Sequence, residues 1–236
     1  MQKVSPSLSI VIPAYDEEEG LPVTIDDIIK NLPMYFFDWE IIVVDDGSTD
    51  KTPVIADRYA KKYKNIHVIH QSNGGYNKAM IAGIKAATKD FVGYFQADAQ
   101  NLVGDFTKCY RLLPAYDLVM AGRGKPHDYS FLRLGFHYGG FLLYRILFGL
   151  TYDDPHWVYF WKTKEVQKLT LDPKGGVFLL VESLVKFRRK GLRIVETTSA
   201  YHPRIGGEQK AIKPKVILRT MKSVFRLWWQ IIIGKV

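Results

Sequence analysis

Gly93-Tyr94-Phe95-Gln96-Ala97-Asp98-Ala99-Gln100 is the stretch from which the architecture can be inferred. An apolar run, residues 91–95, stops there at one carboxylate flanked by two amides. We predict a buried strand that delivers Asp98 and Gln100 at its carboxyl end, because open α/β sheets bind ligands at that edge. Such oxygen donors suit a hard divalent cation that carries phosphate oxygens. The alternative is that Asp98 caps the following helix.

The first 120 residues alternate strand-like apolar runs with amphipathic segments. The predicted strands are residues 8–13, 40–44, 66–69, 91–95 and 117–120. Short connections indicate an α/β domain with a mostly parallel central sheet and helices on both of its faces. Successive strand ends carry polar side chains, namely Tyr15 with Glu17, Asp45 with Asp46, and Asp98 with Gln100. Neither the dinucleotide-binding glycine fingerprint nor the P-loop pattern occurs in the chain.

The composition fits one globular unit. With 236 residues and 47% hydrophobic residues, the chain can bury the core of one α/β domain, and it is not a disordered protein. A single cysteine, Cys109, excludes a disulfide framework and a cysteine-rich metal site, and it fits a reducing compartment. No secretory signal peptide and no uncharged apolar stretch of about 18 residues are visible, so we expect no transmembrane segment.

Positive charge accumulates late in the chain. The formal net charge is +9, and from Lys186 onward thirteen Lys or Arg accompany only two acids, Glu196 and Glu208. A basic C-terminal part can serve nucleic acid, anionic lipid or phosphorylated ligands, and it can equally be a solvated surface.

Two long segments after residue 122 have helical patterns. Residues 131–149 are apolar apart from Arg133, His137 and Arg145, which predicts a helix in the core or at a lipid surface. The second segment, residues 215–233, has one basic and one apolar helical face. The basic face carries Lys215, Arg219, Lys222 and Arg226, and the apolar face carries Ile217, Met221, Val224, Trp228 and Ile232. This pattern is typical of a membrane-interface helix, although a helix packed on its own domain looks similar.

The negative charges of the adjacent carboxylates Asp45 and Asp46 repel each other, and this repulsion must be offset. At ~4 Å, two such charges repel by several kcal/mol at an effective dielectric constant of about 20. Donors from a ribose or base, or a cation, would offset this repulsion, whereas Asp-Gly-Ser is also ordinary turn chemistry. The cations that could meet a diphosphate are Arg123, Arg133, Arg204 and Lys210.

Four linked motifs resemble glycosyltransferase family 2, whose members have the GT-A fold. They are Val11-Ile12-Pro13-Ala14-Tyr15-Asp16-Glu17-Glu18, Val43-Val44-Asp45-Asp46-Gly47-Ser48-Thr49-Asp50, Asn73-Gly74-Gly75 with Ala79 and Gly83, and Gln96-Ala97-Asp98-Ala99-Gln100. Within that family the chain is similar to the dolichol-phosphate mannose synthase and polyprenyl-phosphate glycosyltransferase group, through Gly122-Arg123, the helix of Arg133 and the loop 204–210.

The resemblance implies a domain organisation and a role for each matched position. A GT-A domain would cover residues 1–210, with a nucleotide-binding half at 1–120 and an acceptor half at 121–210, and a membrane-interface helix would cover 211–236. The implied nucleotide-binding residues are Pro13, Tyr15, Glu17, Val44, Asp45, Asp46, Gln96, Ala97, Arg204 and Lys210. The implied catalytic residues are Asp98, Arg123, Arg133 and Asp153. Asp98 and Gln100 would bind Mg²⁺ or Mn²⁺ on the diphosphate, and Arg123 and Arg133 would meet the acceptor phosphate.

The chain departs from the family pattern at several positions. Gln96 replaces the first carboxylate of the family's Asp-x-Asp, which lowers the charge of the site and should weaken metal binding. Asp16 replaces the usual Asn, and His137 stands where a phosphate-binding Ser is expected. Residues 153–159 differ from the family's Asp-x-Thr-Ser-Gly-Phe-Arg. These changes lie on the acceptor side, so the sequence specifies the acceptor substrate less well than the donor.

Acid–base chemistry favours a phosphate nucleophile. The second pKa of a lipid monophosphate is about 6, so the group is largely anionic at neutral pH and can attack the anomeric carbon without a strong base. The sequence places no obvious His or Glu base beside Asp98, and Asp153 is a candidate base. The expected reaction is a single displacement with inversion, in which the metal stabilises the leaving diphosphate.

Three functions follow from these features. The first is transfer of mannose or glucose from GDP-mannose or UDP-glucose to a polyprenyl phosphate, by a peripheral enzyme at the cytoplasmic face of a membrane. The second is a related family 2 enzyme that glycosylates a saccharide hydroxyl. The third is a non-catalytic nucleotide-sugar-binding protein. We expect no nucleic-acid partner.

Overall fold

A computed structural model describes residues 6–123, 131–202 and 214–235 of the chain, and for residues 131–137 it describes the helix but not the side chains. The described strands are β1 (Leu8–Ala14), β2 (Trp39–Asp45), β3 (Ile66–His70), β4 (Phe91–Tyr94), β5 (Leu118–Gly122), β6 (Val158–Lys162) and β7 (Ile194–Thr198). They form one sheet in the order β3-β2-β1-β4-β6-β5-β7. Only β6 runs antiparallel to its neighbours among these strands, so the predicted mostly parallel α/β sheet is confirmed.

The described helices are α1 (Gly20–Asn31), α2 (Thr52–Lys62), α3 (Tyr76–Ala86), α4 (Thr107–Leu112), α5 (Phe131–Phe148), α6 (Thr163–Gln167), α7 (Leu179–Arg189) and α8 (Pro214–Ile232). Short 3-10 turns occupy Leu32–Met34, Val103–Phe106 and Leu113–Ala115. Each helix in residues 6–123, 131–202 and 214–235 is too short or too polar to span a bilayer.

Buried side chains cover both faces of the sheet. Along β1, Ile10 and Ile12 belong to one core cluster, and Val11 between them belongs to the other. This alternation explains why the central strands are apolar at nearly every position. Helix α3 approaches β1 closely at Gly83, where a Cβ atom would lie 2.3 Å from Val11 Cγ1. Glycine at this position therefore lets the helix lie directly on the strand.

Two strands beyond the five that the sequence analysis identifies complete the sheet. Residues 158–162 form β6 between β4 and β5 in the interior of the sheet. The other strand, β7, lies at Ile194–Thr198. Its register is set by parallel pairing with β5, which joins Leu118 to Ile194.

Helix α8 packs on the domain through only part of the apolar face that its sequence pattern predicts. Val224 of that face is fully buried together with Ser223 and Leu227, and it joins the core on one side of the sheet. The exposed apolar stripe is Leu218, Phe225, Trp229 and Ile232, which lies beside the exposed basic residues. The helix is therefore both docked on the domain and apolar on its outer side.

A turn formed by residues 172–177 holds α8 in place. Ser223 Oγ donates a 2.6 Å hydrogen bond to Asp172 Oδ2, and Arg226 Nη1 donates to the same oxygen at 3.0 Å. A Cβ atom at Gly176 would lie 2.3 Å from Thr220 Oγ1. Close packing against this glycine and polar contacts with Asp172 thus fix the helix.

Candidate active site

The predicted site residues converge at one edge of the sheet. β1, β2 and β4 run parallel and end at Ala14, Asp45 and Tyr94. β5 runs in the same direction, because β4 and β5 are both antiparallel to β6. The residues that follow these four strand ends, or that precede β6, are Tyr15, Glu17, Asp46, Asp98, Gln100, Arg123 and Asp153. The topology therefore brings the donor-side and acceptor-side candidates to the same edge.

Asp45, the last residue of β2, is held by two groups of the chain. Its Oδ1 accepts the Ser48 N–H at 3.0 Å, and its Oδ2 lies 2.9 Å from His70 Nδ1. Burial alone would raise the pKa of Asp45, but the hydrogen bonds from His70 and Ser48 outweigh it and lower the pKa below the ordinary value of 3.8. Asp45 is therefore an oriented, ionised acceptor.

Asp46 organises the loop that leads into α3. Its Oδ1 accepts Gln71 Nε2 at 2.6 Å and the Gly74 N–H at 2.9 Å, and its Oδ2 accepts the Gly75 N–H at 2.7 Å. Gly75 has a φ of +88°, a conformation that glycine adopts at low cost. The repulsion between Asp45 and Asp46 was expected to need donors from a ligand or a cation. The chain itself supplies donors to both carboxylates.

The loop after β1 is tied to the loop after β2. Asp16, which replaces the family's Asn, has a φ of +52°, and its carboxylate accepts the Thr49 N–H at 2.8 Å. Its own N–H donates to Ser48 Oγ, and the Glu17 N–H donates to Thr52 Oγ1 at 2.8 Å. Asp tolerates the left-handed conformation better than most residues because its side chain bonds locally. Tyr15 and Glu17 are therefore carried on a fixed loop at the site.

The turn that carries Asp98 is held by residues that the sequence analysis did not identify. Thr24 Oγ1 on α1 donates to the Gln96 carbonyl at 3.2 Å and accepts the Ala99 N–H at 3.1 Å. Asn101 is fully buried, and its Oδ1 accepts the Gln96 N–H at 2.7 Å. Asn101 lies in the same polar stretch as Gln96 and Asp98, and this closeness along the chain was the available signal for its role.

The oxygen donors of this turn fit a divalent cation in part. Asp98 is 6% exposed, and Gln100 donates its Nε2 to Tyr201 Oη and to the His202 carbonyl, both at 3.2 Å. The buried Gln96 Oε1 has no hydrogen-bond partner among the described residues. In that same part of the chain no three His, Cys, Asp or Glu side chains form a metal-binding group. One carboxylate with amide oxygens suits Mg²⁺ or Mn²⁺ when phosphate oxygens complete the coordination.

Arg123 is immobilised by a partner that the sequence analysis missed. Its Nε donates to Asp154 Oδ2 at 2.8 Å, and its Nη2 donates to Asp154 Oδ1 at 3.2 Å. The guanidinium also lies 4.9 Å from the centroid of the Trp157 ring. Burial alone would raise the pKa of Asp154, but the charge and hydrogen bonds of Arg123 lower it. Asp154 therefore remains ionised and sets the orientation of Arg123.

Glu196 fixes the backbone beside this pair. Its carboxylate accepts the N–H groups of Asp153 and Asp154, each at 2.9 Å. Burial raises the pKa of Glu196 above its ordinary value. The Asp153 side chain is exposed at the same edge of the sheet.

Other predicted site residues differ in how a ligand could reach them. Pro13 lies in β1 opposite Val44 of β2. The Val44 side chain is fully buried in the core and Ala97 is 4% exposed, so both could meet a ligand mainly through their backbone. Arg133 lies on α5, but its side chain is outside the description. Arg204 and Lys210 lie outside the described residues.

Comparisons with known proteins give the chain its family. The sequence model of Glycosyl transferase family 2 matches residues 9–154. A dolichol-phosphate mannosyltransferase of Pyrococcus furiosus is 29% identical over 231 residues, which cover 93% of this chain and 63% of the relative. A dolichyl-phosphate beta-glucosyltransferase of Trichomonas vaginalis is 38% identical over 105 residues, covering 42% of this chain and 32% of the relative. The chain thus spans less than two thirds of the length of either relative.

A solved structure with the same fold is glucosyl-3-phosphoglycerate synthase from Mycobacterium tuberculosis, crystallised with Mn²⁺, UDP-glucose and phosphoglyceric acid. Its TM-score is 0.72 at 20% sequence identity, over 94% of this chain and 80% of that chain. The likeness confirms the predicted GT-A fold. Because the family match covers more than half of the sequence, the chain belongs to glycosyl transferase family 2.

Proposed function

We propose that the chain transfers a sugar, mannose or glucose, from a nucleoside diphosphate donor to a polyprenyl phosphate with inversion at the anomeric carbon. The observation that carries the proposal is the convergence of Asp45, Asp46, Asp98 and Arg123 at one sheet edge in a family 2 chain. The acceptor class is supported by the relatives named dolichol-phosphate mannosyltransferase and dolichyl-phosphate beta-glucosyltransferase.

The donor half would use the fixed carboxylates. Asp45 accepts from the nucleoside, and its rigid hold by Ser48 and His70 reduces the ordering that binding requires. Asp98 and Gln100 would hold Mg²⁺ or Mn²⁺, and the chemistry that such a cation supplies is neutralisation of the charge on the leaving diphosphate. The structural neighbour that was crystallised with Mn²⁺ and UDP-glucose supports the use of a divalent cation.

The acceptor half would use Arg123. Asp154 sets the orientation of the guanidinium through its Nε and Nη2 groups, and in that orientation Arg123 would meet the acceptor phosphate. An anionic phosphate monoester needs no general base at neutral pH. Arg123 would hold its oxygens and bring one of them in line with the breaking sugar–phosphate bond. Arg133, Arg204 and Lys210 remain candidates for further phosphate contacts.

A second candidate function is transfer to a saccharide hydroxyl. It is favoured by one observation, namely the exposed Asp153 carboxylate whose backbone is fixed by Glu196 at the site edge. A hydroxyl needs a base to take its proton, and a positioned carboxylate can perform that role.

The lipid acceptor implies a membrane surface, and two helices are suited to meet it. Seven of the twelve exposed large apolar side chains in the described part of the chain lie on α5 and α8, and they are Tyr138, Leu142, Ile146, Leu218, Phe225, Trp229 and Ile232. Exposed Lys215, Arg219 and Lys222 accompany them on α8, which suits anionic headgroups. We propose peripheral binding at the cytoplasmic face of the membrane.

Product analysis tests the proposed reaction. Radiolabelled GDP-mannose or UDP-glucose is incubated with Mn²⁺ or Mg²⁺ and with either a short polyprenyl phosphate or an oligosaccharide, and the label that enters the organic phase or the water-soluble saccharide is counted. We expect transfer from one donor, a loss of at least about a hundredfold in Asp98→Asn, and full activity in Asp38→Asn at the opposite sheet edge. Label in a water-soluble saccharide would favour the second candidate. Nucleotide binding without transfer to either acceptor would indicate a non-catalytic protein.

A further inference from the structure

His70 lies beside the donor edge between two carboxylates. It is the last residue of the edge strand β3, and parallel pairing with β2 places it opposite Asp45. Its Nδ1 is 2.9 Å from Asp45 Oδ2, and its Nε2 is 3.1 Å from Asp57 Oδ1 on α2. The His70 side chain is 43% exposed, so its protonation equilibrates with solvent.

Only the doubly protonated ring satisfies both contacts. A neutral imidazole has one N–H donor, and its other nitrogen would direct a lone pair at a carboxylate oxygen. The groups that face the ring are Asp45 from β2 and Asp57 from α2, and both are acidic. The hydrogen bond with Asp45, together with that of Asp57, outweighs partial burial and raises the pKa of His70 above 6.5.

We propose that His70 is a positioning residue for the donor nucleotide, in which the charged ring orients the Asp45 carboxylate and Asp57 holds the ring in that state. The inference rests on the proposed function, in which Asp45 accepts from the nucleoside. With Ser48 on one oxygen and His70 on the other, the Asp45 carboxylate is fixed against rotation. When His70 loses a proton, its Nδ1 either donates to the Asp45 carboxylate as a neutral group, without the attraction between opposite charges, or loses that hydrogen bond, so its hold on Asp45 weakens.

This arrangement gives a pH dependence with a definite sign. Because the His70 pKa is raised in the folded chain, the oriented state is complete below the ordinary value of 6.5 and is lost as the pH rises through the raised pKa. Asp45, whose pKa is lowered, stays ionised across that range. Nucleotide affinity should therefore decline on the alkaline side.

Calorimetry with GDP and with UDP in the presence of Mn²⁺, between about pH 6 and 9, tests the inference. The wild-type dissociation constant should rise about fivefold across the His70 titration. His70→Ala should bind about fivefold more weakly at the acidic end and show no such step. His70→Asn keeps a neutral donor near Asp45 and should follow the wild-type alkaline value at every pH. Asp57→Asn should move the step to lower pH and leave affinity below it unchanged.

The variants are compared at each pH, because ionisation of the nucleotide phosphates is common to all of them. If His70→Ala does not fold, His70→Asn and Asp57→Asn carry the test, since both retain a group beside Asp45. Wild-type affinity and pH dependence in His70→Asn, together with an unmoved step in Asp57→Asn, would overturn the inference and leave the proposed function standing. Failure of the wild-type chain to bind either nucleotide would overturn both.

Discussion

Gly20 is the residue on which the geometry of the Asp98 turn depends most directly. A Cβ atom at Gly20 would lie 2.5 Å from the Ala97 carbonyl oxygen and 2.8 Å from Asp98 Cα. We expect Gly20→Ala to displace this turn and to weaken Mn²⁺-dependent nucleotide binding by about 10- to 100-fold, the usual range for groups that orient a metal ligand. Calorimetry with and without Mn²⁺ measures the effect.

Gly104→Ala is the matched control for this substitution. A Cβ atom at Gly104 meets nothing within 4 Å, so this variant should bind nucleotide as the wild-type chain does. Equal metal-dependent affinities in the two variants would show that the α1 contact does not position Asp98.

How much of the site can be predicted from sequence depends on separation along the chain. Asp45, Asp46 and Asp98 could be predicted, because each follows a visible apolar strand. Their partners could not. Thr24 binds the Ala99 N–H 75 residues away, and Asp154 holds Arg123 across 31 residues. Such pairs become neighbours only through the order of strands in the sheet, which local patterns do not contain.

At the level of elements, the packing of α8 on residues 172–177 depends on Gly176. Its φ is +67°, and a Cβ atom would also lie 2.9 Å from the Val216 carbonyl oxygen. Gly176→Ala should lower the free energy of unfolding by the cost of the left-handed conformation, about 1–2 kcal/mol, plus about 1–3 kcal/mol of overpacking. Urea denaturation measures the loss.

A substitution at Gly191 separates the cost of the left-handed conformation from the cost of overpacking. Gly191 has the same φ of +67°, but a Cβ atom there meets nothing within 4 Å. Gly191→Ala should therefore show the conformational cost alone. Equal losses in the two variants would mean that α8 does not press on Gly176.

Strand β6 shows where pattern reading fails for elements. Val158-Tyr159-Phe160-Trp161 is a run of strong strand formers, which was the available signal. The alternation of strands and helices in the first 120 residues predicts parallel neighbours, whereas β6 enters antiparallel between β4 and β5. Likewise, the periodicity of α8 indicated an apolar face but could not tell which part of it, such as Val224, is covered by the domain.

At the scale of the whole molecule, membrane binding should depend on the outer side of α8. Phe225 and Trp229 are 47% and 58% exposed, so replacing both with Ser should leave the fold intact. We expect this double variant to bind vesicles at least about tenfold more weakly in flotation, because each ring loses its burial in the lipid interface. Lys215→Gln with Lys222→Gln should lose about fivefold per charge, and only on vesicles that contain anionic lipid.

Val54→Ser on α2 is the control for the apolar substitutions. Val54 is 61% exposed and lies on neither α5 nor α8. It should float with vesicles as the wild-type chain does. Flotation that is unchanged in the Phe225 and Trp229 variant would place the lipid contact elsewhere.

The turn at residues 172–177 has a practical consequence for anyone who wishes to shorten this protein. Asp172 receives hydrogen bonds from Ser223 and Arg226, while its carbonyl accepts from Asn77 at the start of α3. Deleting α8 would remove both hydrogen-bond donors to the Asp172 carboxylate. It would also expose the apolar core residues that pack against Val224 and Leu227. Trimmed versions should precipitate during purification, because the helix that we propose to bind lipid also covers buried apolar residues of the domain.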